Sequence, residues 1–273
     1  MSPVSIFSSV LCAVDASSLA PRVFRHAAGL AAACGADLTV LTITPHDTRR
    51  AEVQVRSMMR AALGLDTDPP DSPHLRIVHL SVGQPIDAIL EEVRDGVDVV
   101  VVGTHARSDL SRWLLGSTSA SLLEEALCPI LLVPPGQVEI VTVADHHATF
   151  RPSAVLAAVD LHDHEHRVLA LASELSALVQ CPLSVMTVAD AATTDEAAAT
   201  ELRARVQALG HTPIEHVIVQ RGVVPAAIDQ AAVAEHAGLV VMSVRAWGGN
   251  EPGDTARAVL KTRDAVVLAV PAA

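Results

Sequence analysis

Aromatic residues are nearly missing from this chain of 273 residues: three Phe, two Trp and no Tyr, 2% in all. That scarcity removes the stacking platforms on which single-strand nucleic-acid binders lay successive bases. Basic charge is also short, with 19 Lys and Arg against 31 Asp and Glu, a formal net charge of −12. No concentrated basic patch offsets it, which argues against non-specific nucleic-acid binding. Cysteine is sparse. Cys12, Cys34, Cys128 and Cys181 show no CxxC spacing, so neither a disulfide framework nor a zinc knuckle is expected. Cys12 lies inside an apolar run and reads as a buried, reduced thiol. No apolar run approaches the ~18 residues of a bilayer span. The start, Met1-Ser-Pro-Val-Ser-Ile-Phe, has no basic n-region and no signal-peptide core. These absences together predict a soluble cytoplasmic protein.

What the chain does have is aliphatic bulk. Half of it is hydrophobic, almost all Ala, Val and Leu, which suits packed helices and buried strands rather than disorder. The length fits two domains of ordinary size. The chain also repeats itself. Ser9-Val-Leu-Cys-Ala-Val-Asp15 returns as Ala154-Val-Leu-Ala-Ala-Val-Asp160, and Leu38-Thr-Val-Leu-Thr-Ile43 returns as Leu183-Ser-Val-Met-Thr-Val188 at the same offset. Asp98-Val-Val-Val-Val-Gly103 resembles Gly238-Leu-Val-Val-Met-Ser243, and Pro129-Ile-Leu-Leu-Val-Pro134 resembles Val266-Val-Leu-Ala-Val-Pro271, at slightly shorter offsets. Four matches in kept order argue for one domain written twice. The junction falls near Pro134–Pro152.

Each half has the same rhythm. In the first, a strand over Val10–Val14 precedes a helix near Ala20–Cys34. Val23, Ala27, Leu30, Ala31 and Cys34 fall on one face of that helix, and Gly35 closes it. Strand Leu38–Ile43, a helix near Thr48–Leu63 and strand Arg76–Ser81 follow. A helix at Ile86–Glu92, strand Val97–Val102, helix Ser117–Ala126 and strand Ile130–Val133 complete the half. The strands are continuous apolar runs, so they are covered on both faces. The fold class is therefore α/β, with a five-stranded parallel sheet and helices on both sides in each of two tandem Rossmann-like domains. The expected bounds are 1–136 and 150–273. Ligands of such sheets bind at the carboxyl ends of the strands, near the point where strand order reverses.

The stretch from Val102 through Gly103 to Gly116-Ser117-Thr118 is the most informative. Gly103 ends a strand, and Gly116-Ser117 opens a helix. A small residue at a strand end admits a phosphate close to the backbone. The free N–H groups and dipole of a helix N-terminus attract an anion. Taken singly, Gly103 reads as a turn and Ser117 as an N-cap; together they flank one loop at the carboxyl edge of a parallel sheet.

This stretch resembles the signature of the universal stress protein family, Gly-x2-Gly-x9-Gly-(Ser/Thr). Gly103, position 106 and Gly116-Ser117 reproduce its spacing, and Leu127-Cys-Pro-Ile-Leu-Leu-Val133 is similar to the family's closing strand. The duplication resembles the tandem members, so the resemblance covers nearly the whole chain. It implies binding of ATP or AMP, with or without Mg2+. Asp15 would contact ribose or base, with Ala13 and Val14 along the same wall and the Ile43 backbone on adenine. Val102, Gly103, His105, Ala106, Gly116, Ser117 and Thr118 would hold ribose and phosphates, with Arg107 as a further cation. The resemblance also implies a stress-response or regulatory role without efficient turnover, at most a weak ATPase. Family members dimerise through the last strand, so it further implies an intrachain pseudo-dimer of Ile130–Val133 with Val267–Val270, with room for a homodimer and an unknown protein partner.

Ala106 departs from the family pattern. If that position needs positive φ, Ala costs on the order of 1 kcal/mol, enough to weaken binding roughly tenfold. The second half departs further. Its last helix sets Gly253 opposite Gly116, Asp254 opposite Ser117 and Ser243 opposite Gly103, and Asp254 puts a carboxylate where phosphate should sit. Asp160 is kept. The second loop therefore reads as degenerate for ATP. Two other functions stay open: an interaction protein of the same fold that binds no nucleotide, and a metal-binding or slow ATP-hydrolysing protein. The metal reading rests on thirteen His, above all His162 and His166, which share a face if a helix starts that early, with Asp163 or Glu165 beside them. The competing reading is a solvated helix start with incidental histidines. His105 reads as a phosphate-neighbouring donor and His79 as structural. No HExxH, GxSxG or P-loop pattern occurs, and no catalytic residue is nominated.

Overall fold

The structure is a computed structural model that describes residues 6–44, 48–67, 74–79, 84–104, 117–125, 127–136, 138–162, 166–210, 213–244, 254–262 and 265–271. Contacts divide the chain into two compact units, Met1–Pro135 with Val141–Phe150, and Gly136–Ile140 with Arg151–Ala273. In the first, β1 (Ser9–Val14), β2 (Asp37–Thr44), β3 (His74–His79), β4 (Val99–Gly103) and β5 (Ile130–Val133) alternate with α1 (Ala20–Cys34), α2 (Thr48–Leu63), α3 (Pro85–Arg94) and α4 (Ser117–Glu124). The strand order is β3-β2-β1-β4-β5, all parallel. Val99–Val102 and Ile130–Val133 are buried throughout, as strands covered on both faces must be. β3 begins and ends two residues earlier than its apolar run suggests, and Ser81 lies outside the described residues.

The segment expected as a junction, near Pro134–Pro152, contains regular structure of its own. β6 (Val141–Ala144) and β7 (His147–Phe150) form an antiparallel hairpin. Its turn, Asp145-His146, holds both residues at positive φ, 48° and 67°, the pattern of a two-residue type I′ turn. The hairpin packs on α1 within the first unit. That explains why α1 buries two faces. Val23, Ala27, Leu30, Ala31 and Cys34 are buried as the periodicity predicts, but Arg22, His26 and Gly29 are buried too. A Cβ on Gly29 would stand 3.2 Å from both the Phe150 amide nitrogen and Val141 Cγ1. Glycine at mid-helix is unfavourable by roughly 1 kcal/mol; here it admits the hairpin backbone. At the hairpin tip, His146 Nδ1 lies 3.3 Å from the Leu63 carbonyl at the end of α2.

The second unit repeats the plan with β8 (Val155–Ala158), β9 (Leu183–Val188), β10 (His216–Gln220), β11 (Leu239–Ser243) and β12 (Val266–Val270). Its helices are α5 (Arg167–Val179), α6 (Asp195–Ala208), α7 (Val224–Ala234) and α8 (Asp254–Thr262). The order β10-β9-β8-β11-β12, again parallel, reproduces that of the first sheet.

Candidate functional site

In the first sheet the chain leaves β1 toward β2 on one side and returns to β4 on the other, so strand order reverses between β1 and β4. Ala13 stands opposite Val102 in this pair, which brings Ala13, Val14 and Asp15 to the same edge as Val102 and Gly103. Thr42, one residue short of Ile43, donates its hydroxyl to the Val14 carbonyl at 3.1 Å and ties the ends of β1 and β2 together. Asp15 is half-buried, and its Oδ1 accepts the Ser17 amide at 2.9 Å. This Asx turn carries the chain from β1 into α1. α4 begins at Ser117, and Thr118 is half-buried in its first turn. His105, Ala106, Arg107 and Gly116 lie outside the described residues, as does the Ser117 side chain.

Gly103 has a packing reason for its size. A Cβ there would come within 2.7 Å of Leu19 Cδ2 and 3.1 Å of Val23 Cγ2. The end of β4 is therefore pressed against the start of α1, and the glycine does not need positive φ. Behind it, Arg22 donates Nε to the Pro134 carbonyl at 2.9 Å, and the Thr104 amide donates to Val133 at 3.1 Å. These bonds fasten the ends of α1, β4 and β5 around the strand-order reversal.

The second unit keeps the frame and fills the edge differently. Asp160 forms the same Asx turn, accepting the His162 amide at 2.9 Å. Ser243 ends β11 as Gly103 ends β4, and Asp254 opens α8 as Ser117 opens α4. The Asp254 carboxylate lies 3.4 Å from Arg257 Nη1. Arg167 reaches the Pro271 carbonyl at 3.4 Å, repeating the contact of Arg22 with Pro134. Arg205 of α6, only 7% exposed, binds the carbonyls of Asp160 at 3.3 Å and Leu161 at 2.5 Å, and Glu201 at 2.9 Å. Arg221 binds the Asp195 carboxylate at 2.7 Å and the carbonyls of Asp190 and Thr193 at 2.8 and 2.6 Å. The loops after β8 and β9 are thus held by the unit's own cations. Sequence reasoning missed Arg205, although its signal is visible: it shares a helix face with Ala198 and Leu202, and all three are buried.

The histidine pair at 162 and 166 needs correction. α5 starts only at Arg167, and His166 precedes it at φ 55°. The two histidines therefore do not share a helix face. His162 Nε2 instead lies 3.4 Å from Asp190 Oδ2. Hydrogen bonds from Thr193 hold the Asp190 carboxyl below its usual range. Asp163 and Glu165 lie outside the described residues, among which no cluster of three metal-ligating side chains occurs. The free thiols of Cys12, Cys34 and Cys128 are buried. Burial pushes the Cys128 thiol up to about 12 and Cys12 higher still, so both stay protonated and inert. No described helix is long and apolar enough to cross a membrane.

Residues 7–134 match the model of the universal stress protein family. A curated relative, the "Universal stress protein in QAH/OAS sulfhydrylase 3′ region" of Thermus aquaticus, is 29% identical over 140 residues, 47% of this chain and 99% of the relative. Over both units the chain is similar to the crystal structure of a putative universal stress protein from Pseudomonas aeruginosa, with TM-score 0.68, 20% identity and coverage of 97% of this chain and 93% of that one. A universal stress protein from Archaeoglobus fulgidus gives TM-score 0.67, 18% identity and coverage of 97% and 98%. Residues 7–134 therefore match a universal stress protein domain, and both units have the Rossmann-like α/β fold of these structures.

Proposed function

We propose that the first unit binds an adenine nucleotide, ATP or AMP, with or without Mg2+, and that the chain acts as a stress-response regulator rather than through efficient turnover. One observation carries this reading: Asp15, Gly103 and the first turn of α4 belong to the strand ends and helix start that flank the reversal between β1 and β4. That is where parallel sheets take ligands, and the dipole at the α4 N-terminus favours an anion such as phosphate. Ala13, Val14, Ile43, Val102, His105, Ala106, Arg107, Gly116, Ser117 and Thr118 complete the proposed site. The net charge of −12 repels a nucleotide at long range, so attraction must come from this local anion site.

A second reading is an interaction protein that binds no nucleotide. It gains support from Gly103, whose size is already accounted for by Leu19, and from Ala106. Calorimetric titration with ATP and with AMP, with and without Mg2+, separates the two. We expect binding by the native chain, loss of binding in Gly116→Asp, and unchanged affinity in Asp254→Ala. Absence of heat and of any melting shift at saturating nucleotide would leave only the second reading.

A further inference from the structure

Helices α3 and α7 occupy the same place in the two units, each joining the third strand to the fourth. Counted from their N-caps, Gln84 and Val223, their exposed stripes can be compared position by position. α3 exposes Gln84, Asp87, Glu91 and Arg94, an ordinary solvated face. α7 exposes Val223, Ala226, Gln230 and Val233 in the same places, with Val223 73% and Val233 57% exposed. Three charges of the first unit have become apolar or neutral residues in the second. Exposed apolar stripes of this kind mark contact surfaces rather than solvated ones.

The strand that feeds α7 shares the character. β10 is the edge of the second unit's sheet and among the described strands of that unit pairs only with β9. Its sequence, His216-Val-Ile-Val-Gln220, contains no Lys, Arg, Asp, Glu or Pro, the residues that ordinarily blunt an open edge. The corresponding strand of the first unit, β3, carries Arg76 at mid-strand. The Gln220 carbonyl accepts the Ala189 amide, just past the end of β9, at 2.9 Å. By the alternation of strand hydrogen bonding, the backbone groups of Val217 and Val219 face away from β9.

We propose that β10 and the α7 stripe form a homodimer interface, with β10 of one chain pairing antiparallel with β10 of a second copy about a two-fold at Ile218. This register is self-complementary. It sets Ile218 against itself, Val217 against Val219, and Glu215 against Arg221 of the second copy. The residues flanking the strand therefore meet as opposite charges in both symmetry-related places, and an isologous contact closes without leaving a further edge. Arg221 keeps its inward bonds to Asp195, Asp190 and Thr193, yet its side chain remains 45% exposed at the rim. The two-fold also brings both α7 helices, which pack on β8 and β9, to one face of the joined sheet.

The test is sedimentation velocity on the full chain without nucleotide, from about 1 to about 100 μM, a range that brackets ordinary weak dimers. A concentration-dependent monomer–dimer equilibrium is expected. Glu215→Arg, which sets two arginines against each other at both ends of the seam, should raise the dimer Kd about tenfold or more. Val233→Lys, at an exposed helix position, should act in the same direction, while Gln84→Lys on α3 should not. A chain that stays monomeric throughout the range, or a dimer that Glu215→Arg leaves unchanged, overturns the proposal. Neither outcome depends on whether the first unit binds a nucleotide.

Discussion

His26 is the buried group whose titration should dominate the acid response of the first unit. It is fully buried on the hairpin side of α1, with Nδ1 2.9 Å from the Arg22 carbonyl and Nε2 without a partner. Burial, reinforced by the neighbouring charges of Arg22 and Arg25, pushes its pKa from 6.5 down to about 4. The neutral tautomer with a proton on Nδ1 satisfies the carbonyl; an added proton on Nε2 finds no acceptor. The sign follows from linkage. Above pH 6.5 the ring is neutral folded or unfolded, and native stability is full. As pH falls below 6.5 the unfolded chain takes up the proton first, and stability is lost until the folded ring also titrates near pH 4. Each pH unit of that gap is worth about 1.4 kcal/mol, so the loss totals about 3 kcal/mol. Urea unfolding of the native chain and of His26→Gln at pH 8, 6, 5 and 4 measures it. The difference between the two stability profiles cancels every other titrating group, and it should shrink by about 3 kcal/mol across that range. Parallel profiles would refute the reasoning, because they would mean that the cost of charging His26 is the same folded and unfolded.

Three further outcomes follow from particular contacts. Gly103→Val forces a branched side chain into the space held by Leu19 and Val23. It should destabilise by about 2 kcal/mol in urea unfolding, with part of the cost relieved in a Leu19→Ala background. Arg205→Met leaves the Asp160 and Leu161 carbonyls without their buried donor. We expect a loss of about 2 kcal/mol and faster amide exchange concentrated in the loop after β8. Cys181 is half-exposed, whereas Cys12, Cys34 and Cys128 are buried. A maleimide should modify Cys181 in the native chain and the other three only on unfolding, as peptide mass mapping would reveal.

Most of the sheet was legible in the sequence because strands buried on both faces must be written as nearly unbroken aliphatic runs, and four such runs recur in kept order in the two halves. α1 was legible on one face only. Its sheet side follows from the spacing of Val23, Ala27 and Leu30, but Arg22, His26 and Gly29 look like a solvent side until something covers them. That cover is a hairpin of eight strand residues around Asp145-His146, a turn without glycine. Its alternation of Val141, Val143, Ala148 and Phe150 was present but too short to outweigh the Pro and Gly beside it, which read as a linker. The elements that bound the proposed site were legible as spacing: Gly103 ends β4, and Ser117 opens α4. What spacing could not separate is why Gly103 is small, since a phosphate and a leucine side chain ask for the same missing Cβ. Arg205 was hidden for the opposite reason. A buried arginine obeys no hydrophobic pattern, and its partners are backbone carbonyls that carry no sequence identity.

Duplication makes each unit a control for the other. The frame of parallel strands, the Asx turns at Asp15 and Asp160, and the arginines on Pro134 and Pro271 are shared. Whatever differs is then free to report on role rather than on folding. The first unit covers the outer face of α1 with a hairpin and keeps charge on α3 and β3. In the second, the equivalent positions of α5 expose Glu174 and Leu178, and the exposed α7 positions that match Asp87, Glu91 and Arg94 hold Ala226, Gln230 and Val233. The second unit also engages its own arginines at the carboxyl edge of its sheet, where the first ends β4 at Gly103 against Leu19. A unit that satisfies its ligand edge internally while stripping charge from an outer edge has exchanged one kind of surface for another. Under that reading the nucleotide reading and the dimer reading belong to different halves of the chain. Gly116→Asp should then leave the dimer Kd unchanged, and Glu215→Arg should leave nucleotide affinity in the monomer unchanged; a large cross-effect in either direction would mean that the two surfaces are coupled.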